Sequence, residues 1–399
     1  MDISIFDEVI DRKNTGSYKW DPYYLKKIFG KKDLLPLWVA DMDFRAPQPV
    51  INALVERAKH GIFGYTGPDP EKYNNSVINW HKRRYDWLID EDWIVFSPGI
   101  VQACTYLIQR FTKPGDKVII QEPVYHPFAA LIKNNGRRIV SNQLDLVDGH
   151  YKMNYEGLEK IVKDSRTKTL ILCSPHNPVG RVWTREELIK LGDICLENDV
   201  LVISDEIHCD LVYPKYKHTI FASISEELAQ HSITCTAGSK TFNLAGFQHS
   251  NVIIPNERLR ETFKAQMENH ALTIPNVFGA LALQVAYDEG EEWLNTLMQV
   301  LTRNLNFLKD FIKNRVPKVS VIEPEGTYLV WLDFRKYELE PKDLEKKMLE
   351  EAKIALDSGY IFGSGGEGFE RINIACPLSI LKESLERIAK VFAEGNNVQ

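Results

Sequence analysis

The residue with the most distinctive chemical surroundings is Lys240, which stands among small residues in the segment TAGSKTFN at 236–243. An apolar run at 233–235 precedes this segment, so we expect the lysine at the end of a buried strand. A lysine removed from water has a lowered pKa and becomes a usable amine nucleophile. The alternative is that Lys240 is a solvated surface charge, as most lysines are.

An acidic residue follows another apolar run in the same way. Asp205 comes shortly after the run at 200–203, in the segment SDEIH that also contains His208. A carboxylate at the end of a buried strand is costly unless it meets a cation. Asp205 is therefore a candidate partner for a cationic group, and the alternative is a structural acid that caps the next turn. We interpret the neighbouring Glu206 as a solvated or salt-bridged side chain.

Two turns that follow apolar runs combine small and rigid residues. SPGIV at 97–101 opens a helix-like segment, and a small-residue turn at a helix N-terminus offers free N–H groups to a phosphate. SPHNPVG at 174–180 contains two prolines and a glycine, which predict a rigid loop that fixes Asn177 as a hydrogen-bond donor. A plain strand–helix turn and a rigid connector are the respective alternatives.

The elements that must position these residues follow an alternating pattern. From about residue 90, apolar runs alternate with amphipathic segments of helical length, which is typical of an α/β protein with a mostly parallel sheet. Thr184 and Glu187 form a capping box that predicts the start of one of the helices. In such sheets ligands bind beyond the carboxyl ends of the strands, where all four segments above lie. We predict strands at 93–96, 117–120, 170–173, 200–203, 233–235 and 252–254.

The two ends of the chain predict a second, smaller unit. The first 45 or so residues lack clear periodicity and indicate an arm or a packed irregular segment. A long helical stretch at 276–315, with a bend near Gly290, precedes mixed strand and helix signals that include strands at 327–334 and 371–375. We expect three divisions of the chain: an N-terminal segment of the small domain at 1–47, the large domain at 48–288 and the C-terminal small domain at 289–399.

The composition argues against several classes of protein. A chain of 399 residues with 44% hydrophobic and 26% charged residues is typical of a folded globular enzyme rather than of a disordered protein. The net charge of −6 argues against nucleic acid or an anionic membrane as the main partner. The six cysteines form no C-x-x-C pair and no zinc-like pattern with histidine, so we expect reduced thiols and no metal. We expect a cytoplasmic protein, because no signal peptide or membrane-spanning stretch is apparent.

The combination of motifs resembles the fold-type I enzymes that use pyridoxal 5′-phosphate (PLP), the aspartate aminotransferase superfamily. The similarity extends from about residue 38 to about residue 377. DEIH at 205–208, SKTFN at 239–243 and SPHNPVG at 174–180 are most similar to the cystathionine β-lyase and cysteine desulfhydrase group. The resemblance implies a large PLP-binding α/β domain, with helices flanking a mostly parallel sheet. It also implies a smaller α+β domain formed by the N-terminal segment and the C-terminal part.

The resemblance also implies roles for the residues around the cofactor ring. Lys240 would bond covalently to PLP and move the substrate Cα proton, while Asp205 would keep the pyridine nitrogen protonated. Asn177 and His208 would hydrogen-bond the 3′-oxygen of the ring. Tyr125 matches the aromatic residue that stacks on the ring.

The phosphate and the substrate are implied to meet a second group of residues. The backbone N–H groups of Ile100 and Val101 match the phosphate cup, and Tyr65 matches a tyrosine that reaches the phosphate from the other subunit of a homodimer. Arg371 matches the arginine that grips the substrate α-carboxylate, since a planar guanidinium binds a carboxylate bidentately. Ala40 belongs to a segment whose backbone matches the lining of the substrate pocket.

The phosphate contacts depart from the wider superfamily at two positions. Many aminotransferases carry a serine three residues before the lysine and an arginine eight residues after it. Here these positions hold Ala237 and Gln248, so less positive charge would meet the phosphate. Ser239 and Thr236 are the candidates to supply the missing contacts.

The activity implied by the resemblance is carbon–sulfur β-elimination, which converts L-cystathionine or a cysteine-type substrate into a thiol, pyruvate and ammonia. A class I/II aminotransferase acting on an amino acid and a 2-oxo acid is the alternative, because both reactions begin with loss of the Cα proton. A non-enzymatic PLP-binding regulator is a remote alternative. Such regulators carry a DNA-binding domain ahead of this one, and the acidic chain shows no sign of it before residue 38.

Overall fold

The computed structural model describes residues 1–393, which form a mixed α/β fold. The strands are β1 Leu35–Pro36, β2 Ile94–Ser97, β3 Lys117–Ile120, β4 Arg138–Ser141, β5 Asp145–Val147, β6 His150–Lys152, β7 Thr167–Cys173, β8 Leu201–Asp205, β9 Ser232–Thr236, β10 Ser250–Ile253, β11 Ser320–Ile322, β12 Leu329–Asp333, β13 Ile354–Ala355, β14 Asp357–Ser358 and β15 Phe369–Asn373. The helices are α1 Pro22–Phe29, α2 Gln48–His60, α3 Pro70–Tyr85, α4 Ile100–Phe111, α5 Pro127–Asn134, α6 Tyr155–Val162, α7 Arg185–Glu197, α8 Glu226–Gln230, α9 Gly238–Thr241, α10 Glu257–Asn269, α11 Val277–Glu289, α12 Glu291–Arg315, α13 Pro341–Lys346 and α14 Leu378–Phe392.

A seven-stranded sheet in the order β2-β10-β9-β8-β7-β3-β4 forms the centre of the large unit. All its strands run in one direction except β10, which is antiparallel to β2 and β9. Alternate residues of β7 pack on opposite faces: Ile171 joins a cluster with Leu107 of α4, and Leu172 joins one with Leu188 of α7. Because helices cover both faces, the strands are apolar throughout, and this is why their positions could be read from apolar runs.

The predicted mostly parallel sheet is confirmed, and each of its six predicted strands is present with bounds shifted by at most three residues. The strand β4 was not predicted. It lies at the edge of the sheet, where its side chains are half-buried or exposed, so it lacks the apolar signature of the central strands. The capping box at Thr184 and Glu187 is also present and starts α7.

The smaller unit contains an antiparallel sheet in the order β11-β12-β15-β14, with α12 and α14 packed together beside it. The N-terminal β1 pairs with β13, so both ends of the chain contribute to this α+β unit, as the predicted fold class requires. The predicted long helix breaks at Gly290, where an added Cβ would lie 2.4 Å from the Ala286 carbonyl oxygen. Domain boundaries at 47/48 and 288/289 remain our proposal.

The N-terminal segment is more regular than its sequence indicated. The helix α1 begins after Asp21, whose side chain accepts a hydrogen bond from the Tyr23 N–H, and ends at Gly30 with a left-handed φ of 73°. Only Leu25 is buried in this helix. With so small an apolar face, the helix produces almost no periodic pattern, which explains why it was not predicted.

An ionic cluster fixes the N-terminal arm against the segment at 38–43. Lys19 is fully buried and forms an ion pair with Asp43 at 2.8 Å, while Arg12 forms ion pairs with Asp41 and Asp43, each at 2.6 Å. Breaking a buried ion pair leaves an uncompensated charge and typically costs about 3–5 kcal/mol. The cluster therefore holds the 38–43 backbone in a defined position.

The cysteines form no disulfide bond and contribute to no metal site within residues 1–393. All six cysteines are buried and free. Within residues 1–393, no cluster of three or more histidine, cysteine or acidic side chains has the arrangement of a metal site. In the same range, no helix is both long and apolar enough to cross a membrane.

Candidate active site

A cavity of about 240 Å³ lies beyond the carboxyl ends of β7, β8 and β9. It brings together residues that are as far apart in the sequence as Ala40 and Lys240. Nine predicted site residues line it: Ala40, Ile100, Val101, Tyr125, Asn177, Asp205, His208, Ser239 and Lys240. The other two predicted residues, Arg371 and Tyr65, are not part of this lining.

Lys240 lies in α9, the single turn of helix that follows β9. The Lys240 Nζ donates a hydrogen bond of 2.7 Å to the Ala40 carbonyl oxygen. Removal from water lowers the pKa of Lys240 to about 8, an effect opposed by nearby Asp41 and assisted by Arg371. The uncharged share of this amine near neutral pH is therefore much larger than that of an ordinary lysine, as a nucleophile or proton carrier requires.

The position of α9 is fixed by close packing and by a buried acid. An added Cβ on Gly238 would lie 2.5 Å from Leu283 Cδ1, so a larger residue would have to displace either the Leu283 side chain or the turn. Thr241 Oγ1 donates a hydrogen bond of 2.8 Å to Asp210, which also forms an ion pair with Arg84 at 3.0 Å. These contacts hold the residues on either side of the lysine.

Asp205 is the last residue of β8 and is only 4% exposed. Its Oδ1 accepts a hydrogen bond of 3.1 Å from the Ile207 N–H, and no cationic group of residues 1–393 lies within 4 Å of the carboxylate. Burial raises the pKa of Asp205 to about 7. A buried carboxylate with so little compensation is ready to pair with a positive charge placed in the cavity.

His208 and Asn177 both line the cavity and provide hydrogen-bonding groups. His208 is buried, its Nδ1 has no partner within the described chain, and burial lowers its pKa well below the usual value, so the ring is neutral. The Asn177 Oδ1 accepts a hydrogen bond of 3.0 Å from Arg371 Nη1. Because the oxygen is used in this way, the amide nitrogen of Asn177 remains available as a donor.

Tyr125 precedes α5 and presents an aromatic ring to the cavity. The ring packs edge-on against Phe128 with a centroid separation of 5.5 Å. Burial raises the pKa of Tyr125 to about 12, so the phenol is neutral. A neutral ring fixed in this way suits stacking on a planar ligand.

The N-terminus of α4 forms the end of the cavity at which Ile100 and Val101 lie. Gly99 precedes the helix, and a Cβ added there would lie 2.5 Å from the Gln102 Oε1. The free N–H groups and the positive end of the helix dipole favour an anion such as a phosphate. Ala237 and Gln248 line the cavity as well, so both departures from the wider superfamily lie at the site itself.

The two candidates to compensate for these departures have different positions. Ser239 lines the cavity. Thr236 does not line it, but its hydroxyl is buried and lacks a partner within residues 1–393. Ser239 is therefore the better placed of the two.

Arg371 lies on β15 beside the cavity and is 3% exposed. In addition to Asn177, its guanidinium donates to the Trp38 carbonyl oxygen at 2.7 Å and forms an ion pair with Asp357. Tyr65, by contrast, is fully exposed. A single chain therefore does not bring Tyr65 to the cavity.

Two residues of the site were missed by sequence reasoning. The Tyr328 hydroxyl donates a hydrogen bond of 2.9 Å to the Ala40 carbonyl oxygen, the same atom that accepts from Lys240. Asp357 is buried against Arg371. The rule applied to Asp205 could have found Asp357, because this acid also stands next to an apolar run, IAL at 354–356. Tyr328 gave no signal within its strand-like segment.

The donors and acceptors around the cavity fit PLP. The uncompensated carboxylate of Asp205 would suit a protonated pyridine nitrogen, and the unpartnered Nδ1 of His208 would suit the 3′-oxygen of the ring. The amine of Lys240 matches the aldehyde, and the N-terminus of α4 matches the phosphate.

Comparison with known proteins gives consistent results. Residues 32–388 match the family described as aminotransferase class I and II. The chain is 45% identical to the cystathionine beta-lyase PatB of Bacillus subtilis over 383 residues, which cover 96% of this chain and 98% of PatB.

Among the solved structures with this fold, two match along nearly the whole chain. Cystalysin from Treponema denticola, which contains PLP, has a TM-score of 0.93 and 45% identity, over 97% of this chain and 98% of its own. The PLP-bound C–S lyase from Staphylococcus hominis has a TM-score of 0.91 and 36% identity, over 98% of both chains.

Proposed function

The chain belongs to the class I and II aminotransferase family, and from this premise we propose that it is a PLP-dependent carbon–sulfur β-lyase. Its substrate is L-cystathionine or a cysteine-type amino acid, and its products are a thiol, pyruvate and ammonia. The proposal rests on the observation that Lys240 and Asp205 line the same cavity. The chain also matches a cystathionine β-lyase along almost its full length.

The residues of the chain divide the work of this reaction. When bound, PLP supplies an electron sink that makes the substrate Cα proton acidic. The Lys240 amine removes that proton, and its lowered pKa keeps part of it uncharged for this purpose. Asp205 holds a proton on the pyridine nitrogen. Arg371 and Asn177 orient the substrate carboxylate, and the ring of Tyr125 excludes water from one face of the site.

The β-lyase activity predicts pyruvate formation from L-cystathionine without any added 2-oxo acid. Elimination releases the sulfur leaving group and needs no amino acceptor, whereas transamination stops after one turnover without one. Pyruvate and ammonia should appear in equal amounts when both are measured over many turnovers.

L-Alanine is the matched control, because it has no leaving group on Cβ and should yield no pyruvate under the same conditions. If turnover of L-cystathionine required a 2-oxo acid and gave no pyruvate, the aminotransferase would be the correct assignment instead.

We further propose that the active unit is a homodimer with shared sites. The exposed apolar residues Phe63, Tyr65 and Ile274 line one groove, and a second groove that contains Tyr65 and Ile274 reaches His249, which also lines the cavity. Exposed apolar patches of this kind mark interaction surfaces. A second copy of the chain seated here would place its own Tyr65 near the cavity of the first.

If the sites are shared in this way, Tyr65→Phe should bind PLP about tenfold more weakly, because one hydrogen bond to the phosphate is lost. The variant should dimerise as the wild type does. Fluorescence titration would measure the PLP affinity, and sedimentation velocity would measure the mass. Tyr23→Phe, at another exposed tyrosine, is the control. A monomeric active protein, or unchanged PLP affinity in Tyr65→Phe, would contradict shared sites.

The cavity and the free cysteines bear on the substrate class and on the cellular location of the protein. The cavity takes a small amino acid, for which Arg371 is the proposed carboxylate anchor. A reducing compartment such as the cytoplasm remains our proposal, because all six thiols are free.

A further inference from the structure

The proposed carboxylate anchor already has an acidic neighbour. Asp357 of β14 stands directly opposite Arg371 of β15 in the antiparallel register, and the two side chains form an ion pair. Asp357 is 7% exposed and Arg371 is 3% exposed. Backbone pairing therefore holds a carboxylate against the guanidinium in the interior of the protein.

Asp357 accepts a hydrogen bond from Arg371 Nη2, an N–H group that a substrate carboxylate would use. Arg371 Nη1 donates to Asn177, and Nη2 donates both to the Trp38 carbonyl oxygen and to Asp357, while the buried Nε has no partner within residues 1–393. A bidentate grip on a carboxylate needs two parallel N–H groups. An incoming carboxylate must therefore share the guanidinium with Asp357 or replace it.

The charges around the pair make sharing unfavourable. Arg371 is the one cation within 4 Å of Asp357 in the described chain, so the pair is neutral before substrate binds. The other ionisable groups near Asp357 are the buried Glu370 on β15 and Tyr125 before α5, and neither adds positive charge. Around Arg371 lie His126, His208 and Lys240. Burial lowers the pKa of both histidines, so they are neutral, and the Lys240 amine would be bonded to the cofactor in the PLP-loaded enzyme. A second carboxylate beside the ion pair would therefore leave the two carboxylates and one guanidinium with net negative charge. Burial already raises the pKa of Asp357 while Arg371 opposes that rise.

We propose that Asp357 is an internal competitor for Arg371, and that the substrate α-carboxylate binds as Asp357 takes one proton from solvent and releases the guanidinium. The charges balance, because one carboxylate enters the site while another becomes neutral. The inference rests on the proposed role of Arg371 in substrate binding. It predicts that affinity for carboxylates falls by up to about tenfold per pH unit as the pH rises through the range in which the proton is taken up.

The test is calorimetric titration of the PLP-loaded enzyme with 3-(methylthio)propanoate, which carries the carboxylate but no amino group and so cannot be turned over. Titrations between about pH 6 and pH 9, in two buffers with different ionisation enthalpies, give the number of protons taken up on binding. The wild type should take up as much as one proton per carboxylate. Asp357→Asn should take up none and should bind at least about tenfold more tightly at the alkaline end.

Glu370→Gln is the matched control, because Glu370 is the neighbouring buried acid but points to the opposite face of β15. It should keep the proton uptake of the wild type. The neutral amide 3-(methylthio)propanamide should cause no proton uptake in any variant.

The inference is overturned by no proton uptake in the wild type, by equal uptake in Asp357→Asn, or by loss of uptake in Glu370→Gln. A probe that binds neither the wild type nor Asp357→Asn would also overturn it, because Arg371 would then not be the carboxylate site. Proton uptake by the wild type tests the inference even if one of the variants fails to fold. If proton uptake is found but L-cystathionine gives no pyruvate, the β-lyase assignment fails by itself.

Discussion

Replacing Lys240 with alanine is expected to lower pyruvate formation from L-cystathionine by about 10⁴-fold or more. The substitution removes the amine that bonds to PLP and also the base that takes the Cα proton, and positioned general bases alone contribute up to about 10⁴-fold. No other described lysine lines the cavity to replace it. The variant should still bind PLP through the remaining contacts, although more weakly.

Reduction with borohydride followed by peptide mapping identifies the lysine that carries the cofactor. The wild type should carry it on Lys240, and Lys240→Ala should carry none. Lys27→Ala, at an exposed position on α1, is the control and should match the wild type in both activity and labelling. Label on a different lysine of the wild type would reject the assignment.

Asp205→Asn is expected to lower activity by about 10²–10³-fold, the usual loss when one fixed electrostatic group is removed from an active site. Asparagine has almost the same shape but carries no negative charge, so it cannot hold a proton on the pyridine nitrogen. A near-normal rate in this variant would show that the ring nitrogen does not depend on Asp205.

Although Asp205→Asn should lower activity, it should raise the free energy of unfolding of the PLP-free protein at alkaline pH. Burial raises the pKa of Asp205 to about 7 from an ordinary value of 3.8, so the folded protein resists ionisation of this group. Ionisation of the buried Asp205 lowers the free energy of unfolding. This loss is absent below about pH 4 and complete above about pH 7, where it is on the order of 4 kcal/mol. Asp205→Asn removes it and should unfold at higher denaturant concentration than the wild type at pH 8. Near pH 4 the two should unfold alike.

PLP should reverse this order, because a cationic ring nitrogen stabilises the ionised Asp205. Denaturant midpoints measured with and without PLP at the two pH values would test both signs. Asp145→Asn, at an exposed position on β5, is the control and should show no such dependence on pH or PLP. Equal midpoints for wild type and Asp205→Asn at pH 8 would contradict the buried, uncompensated carboxylate.

The sequence predicted those parts of the site that depend on local pattern. Lys240 and Asn177 follow apolar strands and Asp205 ends one, and parallel strands bring such residues to the same edge of the sheet. This expectation does not require the order of the strands to be known, because the carboxyl ends of parallel strands lie at the same edge of the sheet in any order. The specific roles came from the family resemblance.

Contacts between distant segments could not be predicted in this way. The hydrogen bond from Tyr328 to Ala40 joins residues 288 positions apart, and the pairing of Asp357 with Arg371 depends on the register of two strands. The helix α1 was missed because almost all its surface is exposed. Tyr65 raises a different difficulty, because its proposed role requires a second copy of the chain.

The burial of every cysteine has a consequence for an enzyme that releases thiols. Sulfide and small thiols cleave disulfides and add to oxidised sulfur, so a lyase held together by disulfide bridges would be degraded by its own product. Here all six sulfurs are reduced and shielded. Cys173, the one cysteine that lines the cavity, has its pKa raised by burial and stays protonated. The six cysteines therefore offer no disulfide bond for a released thiol to cleave.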